Sequence, residues 1–189
     1  MRKVACGTIA AIALAGIGAC FAPPCANADA QASSTSDLKL PVGYRDWPLI
    51  SLARVGGPVN DLRAKLGNPI AMKAYREGTR PYPDGAIIAR LAYTAVTSEE
   101  NNKVFRAAAE RQGLTPDQVA KLLSESIVAG PAMNIQLMIK DSKKYATTGG
   151  WGFAQFNDGK LADEAMQKTC FACHAPAREQ DFVFTRYTP

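Results

Sequence analysis

Cys170-Phe171-Ala172-Cys173-His174 sets two thiols three residues apart, with an imidazole directly after the second. Each thiol of such a run can add across one vinyl group of a haem, and the adjoining histidine then lies under the iron as an axial ligand. The spacing reads as the attachment site of a c-type haem, Cys170 and Cys173 holding the cofactor and His174 the metal. A zinc site is poorly supplied. Tetrahedral zinc takes about four protein ligands, whereas the other cysteines, Cys6, Cys20 and Cys25, lie near the N-terminus and His174 is the only histidine. A redox dithiol of the thioredoxin type is the remaining alternative, and that motif belongs beside a βαβ pattern.

Covalent haem attachment goes with export, and the N-terminus carries the matching pattern. Arg2 and Lys3 form a basic start, Ile9 to Gly18 an apolar stretch, and Ala26-Asn27-Ala28 an A-x-A cleavage signal. The apolar stretch is shorter than the roughly 20 residues of a membrane-spanning helix. Residues 1–28 are therefore expected to be a removable signal peptide, 29–39 a flexible leader rich in small polar residues, and 40–189 a single haem-binding domain in the periplasm. Ile17-Gly18-Ala19-Cys20 offers a competing, lipoprotein-type site that would leave Cys20 as a lipid anchor. Cleavage after Ala28 takes 28 from 189 residues and leaves 161, enough for one domain with a sizeable core. Cys170 and Cys173 are then the only cysteines, so no structural disulfide is expected. Loss of Arg2 and Lys3 lowers the formal charge from +5 to +3. The basic residues are scattered, and no nucleic-acid partner is expected.

The elements that must position the motif alternate between strand and helix patterns. Leu49 to Val55 reads as a strand after Tyr44-Arg45-Asp46-Trp47, and Leu62 to Leu66 as a weaker one. Asn68-Pro69 starts a short helix, with asparagine as N-cap and proline in the first turn, running to about Glu77 before Gly78. Ala86 to Val96 is the best strand, with Ile87, Ala89, Leu91 and Tyr93 on one face and Ile88, Arg90, Ala92 and Thr94 on the other. Glu99 to Gln112 and Thr115 to Val128 are helical in pattern, and Gly130-Pro131 is expected to end that hairpin. Met133 to Ile139 and Trp151 to Phe156 alternate as strands, separated by a polar connection over Lys140 to Tyr145 and a turn over Thr147 to Gly150. Leu161 to Thr169 is expected to be a short helix delivering the haem motif, and Asp181 to Tyr187 a last extended segment.

The position of the motif narrows the type of cytochrome. Small electron-transfer cytochromes carry it near the N-terminus and bring a downstream methionine to the iron, but no methionine or histidine follows His174. A four-helix cytochrome c-prime would need four long helical patterns. With a lone histidine, bis-histidine ligation is impossible. Met72, Met133, Met138 and Met166 are methionine candidates for the sixth position, and core packing is the better reading of each. An open sixth position follows, where distal polarity and access decide which small ligand binds. Asp158, Asp163 and Glu164 are candidate proton-handling carboxylates, although helix-start and surface roles suit them better.

Taken together, Tyr44-Arg45-Asp46-Trp47, Asp84-Gly85, Lys140-Asp141-Ser142, Gly150-Trp151 with Phe153, and the haem motif followed by Asp181-Phe182-Val183-Phe184-Thr185-Arg186 resemble the cytochrome P-460 family and its relatives, the cytochromes c-prime-beta. The resemblance covers most of the mature chain. It implies an α+β fold, a β-rich antiparallel sheet with short helices packed on it, carrying one covalently attached haem c, five-coordinate through the motif histidine and usually in a homodimer. Members oxidise hydroxylamine or bind nitric oxide and related diatomics. Hydroxylamine-oxidising members carry a lysine, bonded to the haem ring, on the strand after the Asp-Gly turn. Arg90 stands at that place here, and a guanidinium is a poor nucleophile.

Three functions are thus expected in order: capture of a small diatomic ligand such as nitric oxide, oxidation of hydroxylamine, and plain electron carriage with a redox partner protein. Arg90 has two readings, a partner for a haem propionate or bound ligand and a solvent-facing salt bridge. Arg178 and Arg186 are weaker propionate candidates.

Overall fold

The computed structural model describes residues 38–188; the segment read as a signal peptide and most of the leader lie outside them. Six strands form one sheet in sequence order: β1 (Leu49–Val55), β2 (Asp61–Gly67), β3 (Ile87–Val96), β4 (Val128–Lys140), β5 (Trp151–Asn157) and β6 (Lys160–Leu161). Every neighbouring pair is antiparallel, so the βαβ setting of a thioredoxin-like dithiol does not occur among the described residues. Helix α1 (Pro69–Glu77) follows β2, α2 (Glu99–Arg111) and α3 (Pro116–Glu125) join β3 to β4, and α4 (Glu164–His174) follows β6. The α+β expectation holds.

Local chemistry explains the sharpest boundaries. The Asn68 side chain accepts from the Ala71 amide at 2.9 Å, as the N-cap of α1, and from the Ile87 amide at 3.0 Å, while its own amide group donates to the Gly85 carbonyl at 2.8 Å. One asparagine thus ties the start of α1 to the start of β3. Thr115 and Gln118 form a reciprocal capping box at α3.

Four expectations are corrected. Val128 opens β4 instead of closing a helix, and Gly130-Pro131 lies inside that strand. Its register against β3 shifts between Ala92 and Ala95, and this irregularity accommodates a proline that has no amide to donate. Lys140 is the buried end of β4, not the start of a polar connection. The tail expected to be extended from Asp181 instead begins with a turn, because Asp181 and Phe182 both adopt left-handed conformations, φ 52° and 62°. Finally, α4 carries the haem motif within itself and does not stop before it.

Both faces of the sheet are covered. On one, Ile50, Ile88, Met138 and Phe153 pack with α1 residues such as Met72 and with Phe182 and Val183 from the tail. On the other, Leu66, Leu91, Leu137 and Phe156 meet Leu38, Leu40, Tyr44 and Trp47. The α2–α3 hairpin keeps its own small core of Ala109, Val119 and Leu123.

Candidate functional site

Helix α4 begins where the Asp163 side chain accepts from the Met166 amide at 2.9 Å. From there Met166, Cys170, Cys173 and His174 recur at helical spacing and line one side of an open cleft. The sheet supplies the other side through Arg63 and Lys65 of β2, Ile88 and Arg90 of β3, Gln136 and Met138 of β4, and Phe153 of β5. The two thiols and the imidazole therefore share one helix face over one cavity. Cys170 is half-buried and Cys173 exposed, both free.

His174 is held from behind. Its Nδ1 lies 2.7 Å from the Phe182 carbonyl oxygen, which can only accept, so Nδ1 carries the proton and Nε2 keeps its lone pair for a metal. The rings of Phe153 and Phe184 flank it at 5.0 and 4.7 Å. Burial pushes the imidazole below its ordinary pKa against the opposing pull of the Phe182 carbonyl, which favours the neutral, ligating form. The carbonyl is itself fixed through its neighbour. Asp181 receives Lys140 Nζ at 2.7 Å and the Tyr82 amide at 2.7 Å, and its backbone oxygen receives the Trp151 indole at 2.8 Å. Lys140 also donates to the Gly149 carbonyl at 3.1 Å and sits over the Trp151 ring.

The sheet wall is polar and connected. Asp61, 1% exposed, accepts from Arg63 Nε at 2.8 and 2.9 Å and from Arg90 Nη2 at 2.6 Å. Arg90 Nη1 donates to Gln136 at 2.8 Å and Asn134 at 3.1 Å. Gln136 passes the chain on to Gln155 at 2.6 Å, and Gln155 to Asn157 at 3.0 Å. The ladder crosses four strands because each member lies on the same pleat face. Arg90 makes a salt bridge, but one that lines the cleft and does not face solvent, its side chain 18% exposed. Burial first, then the neighbouring charge of Arg63, pushes its pKa down.

Other candidates fall elsewhere. Asp163 is a helix cap, Glu164 pairs with Lys168 on the surface, and Asp158 turns the β5–β6 loop; none of the three lines the cleft. Arg178 and Arg186 are exposed away from it. Met72 is a core residue and Met133 sits outside the cleft, whereas Met138 and Met166 line it, Met138 packed in the core and Met166 on the helix face of His174. No residue of α2 or α3 reaches the cleft. Sequence reasoning missed Lys65, Asp61, Gln136 and Gln155. The signal for Lys65 and Asp61 was β2 itself, whose charged residues at every second position share a face.

Paired thiols, an oriented imidazole, aromatic flanks and a cationic wall for carboxylates fit a haem, and the arrangement is that of a cytochrome built on an antiparallel sheet. The chain belongs to the Cytochrome P460 family, whose model matches residues 41–185. That membership implies a haem cofactor. No curated protein matches the sequence.

Proposed function

We propose that the chain is an exported, periplasmic cytochrome with a single haem c, attached through Cys170 and Cys173 and ligated by His174, whose remaining axial position takes nitric oxide or a related small ligand. The observation that carries this reading is the His174 ring. Phe182 fixes its tautomer and aims the free Nε2 into the cleft, and the sequence holds no second imidazole to compete for the other position. Bound haem supplies an iron able to take a small ligand, with distal polarity and access setting which one. The chain's own part is to orient the imidazole, to flank it with Phe153 and Phe184, and to present Arg90 and its amide ladder to whatever enters.

Two measurements test the proposal. The peptide spanning Cys170 to Cys173 is expected to carry the mass of one haem, and the ferrous protein to give a high-spin spectrum that changes on adding nitric oxide or carbon monoxide. An unmodified peptide mass, or a low-spin six-coordinate spectrum, would overturn it.

Hydroxylamine oxidation is the second reading, favoured by family membership and by a hydrogen-bonding wall suited to an N–O substrate. Against a ring cross-link at position 90 stands the guanidinium, committed to Asp61, Asn134 and Gln136. Haem-loaded protein that turns over hydroxylamine with an artificial acceptor would establish this reading, and absence of turnover would remove it.

A further inference from the structure

The wall formed by β2 and β3 carries more positive charge than it can balance. Lys65 is the register partner of Arg90 across the two strands, and Arg63 lies two residues from Lys65 on the same face. Like charges directly opposite one another in a sheet repel. Asp61 answers Arg63 and Arg90 through short ion pairs, yet among the described residues Lys65 makes no hydrogen bond or ion pair although it lines the cleft. Arg90 Nε is also buried without a partner. No carboxylate lines this cavity, so the three cations have only Asp61, buried beside them in the wall, as a balancing charge.

The neighbouring polar groups cannot make up the deficit. The Gln136 oxygen is taken by Arg90 and its amide nitrogen by Gln155. What remains unspent is the Lys65 ammonium and a guanidinium N–H, two donors that fit an acceptor of negative charge. We propose that Lys65, flanked by Arg63 and Arg90, forms an anion site in the cleft for a carboxylate or a small oxyanion. The inference rests on the reading that this cleft holds haem, and two sources share the chemistry: a carboxylate of the haem itself, or a free anion arriving from solution. Burial, with the charges of Arg63 and Arg90, pushes the Lys65 amine below its ordinary pKa, as befits a cation lacking its counter-ion.

The test uses ferric holoprotein, titrated optically with nitrite or azide and, as a neutral control, with imidazole. If a free anion is the occupant, Lys65→Met weakens nitrite and azide by about tenfold or more while leaving imidazole unchanged, the loss of one charge-assisted hydrogen bond. Lys65→Arg restores affinity to within a few-fold. If the occupant is a haem carboxylate, the anion titrations are unmoved, and Lys65→Met instead shifts the infrared carboxylate band and the ionisation midpoint seen in the pH dependence of the reduction potential. No change in either measurement overturns the proposal. Failure of the haem reading is distinguishable, because such protein lacks the haem spectrum; calorimetric titration of that same material with nitrite still reads the site, and equal heats from wild type and Lys65→Met would overturn it.

Discussion

A buried lysine and a half-buried group of three cations rest against the same sheet, and they differ in how completely they are matched. Behind His174, Lys140 is 5% exposed and meets Asp181, the Gly149 carbonyl and the Trp151 ring, so its charge is paired and its donors are used. On the cleft wall, Arg63 and Arg90 share the single carboxylate of Asp61, and among the described residues Lys65 has no ion-pair partner. Desolvating a charge costs several kcal/mol unless a partner offsets it. A fully matched buried cation is therefore architecture, and here it fixes the loop that orients the imidazole. An unmatched one marks a place for something the chain does not contain.

Breaking the matched side is expected to have the largest effect. Lys140→Met leaves the largely buried Asp181 carboxylate without its counter-ion, and denaturant unfolding should register a loss of about 3–5 kcal/mol. Because Asp181 precedes the carbonyl that holds His174, the iron–histidine band in resonance Raman spectra should shift as well. The double variant Lys140→Met, Asp181→Asn should recover part of the lost stability. Gly149→Ala comes next. Its φ of 69° disfavours a side chain, and an added Cβ would run into the Phe182 ring. A loss of about 1–3 kcal/mol with a smaller shift of the same band is expected.

Changes on the unmatched side should behave oppositely. Lys65→Met relieves a like-charge pair, so unfolding stability should stay within about 1 kcal/mol of wild type or rise. The wall also predicts a pH dependence with a definite sign. Lys65 faces Arg90, Arg63 and Asp61 from the sheet and Cys170, Cys173 and His174 from α4. If a free anion is the occupant, its affinity is full while Lys65 is protonated and falls as pH rises through a value below the ordinary 10.5 of lysine. An affinity flat with pH up to that ordinary value would remove Lys65 from the site.

The smallest effect is expected far from both groups. Val96 and Val128 are register partners at the base of the α2–α3 hairpin, and neither helix lines the cleft. Replacing residues 99–125 by a short turn should leave the visible spectrum of the holoprotein unchanged.

How much of this was legible in the sequence depends on the range of the interaction. Asn68-Pro69 was readable as a helix start because capping couples groups only three residues apart. The alternation of β3 was readable because its face period is fixed by backbone geometry. Lys140 was misread as part of a polar connection, since lysine is so rarely buried unless paired, and its partner lies 41 residues away. Pro131 was misread as a terminator, because only the partner strand shows that a bulge can absorb it.

The sequence by itself determined the chemistry on offer: two thiols and the lone imidazole at helical spacing, and which residues of each strand share a face. These depend on covalent spacing and on the fixed periods of helix and strand. Tertiary structure alone decided what each face meets. It set Lys65 against Arg90 with one carboxylate between three cations, and it carried Lys140 to Asp181, because charge balance in a buried site is settled by groups that only folding brings together.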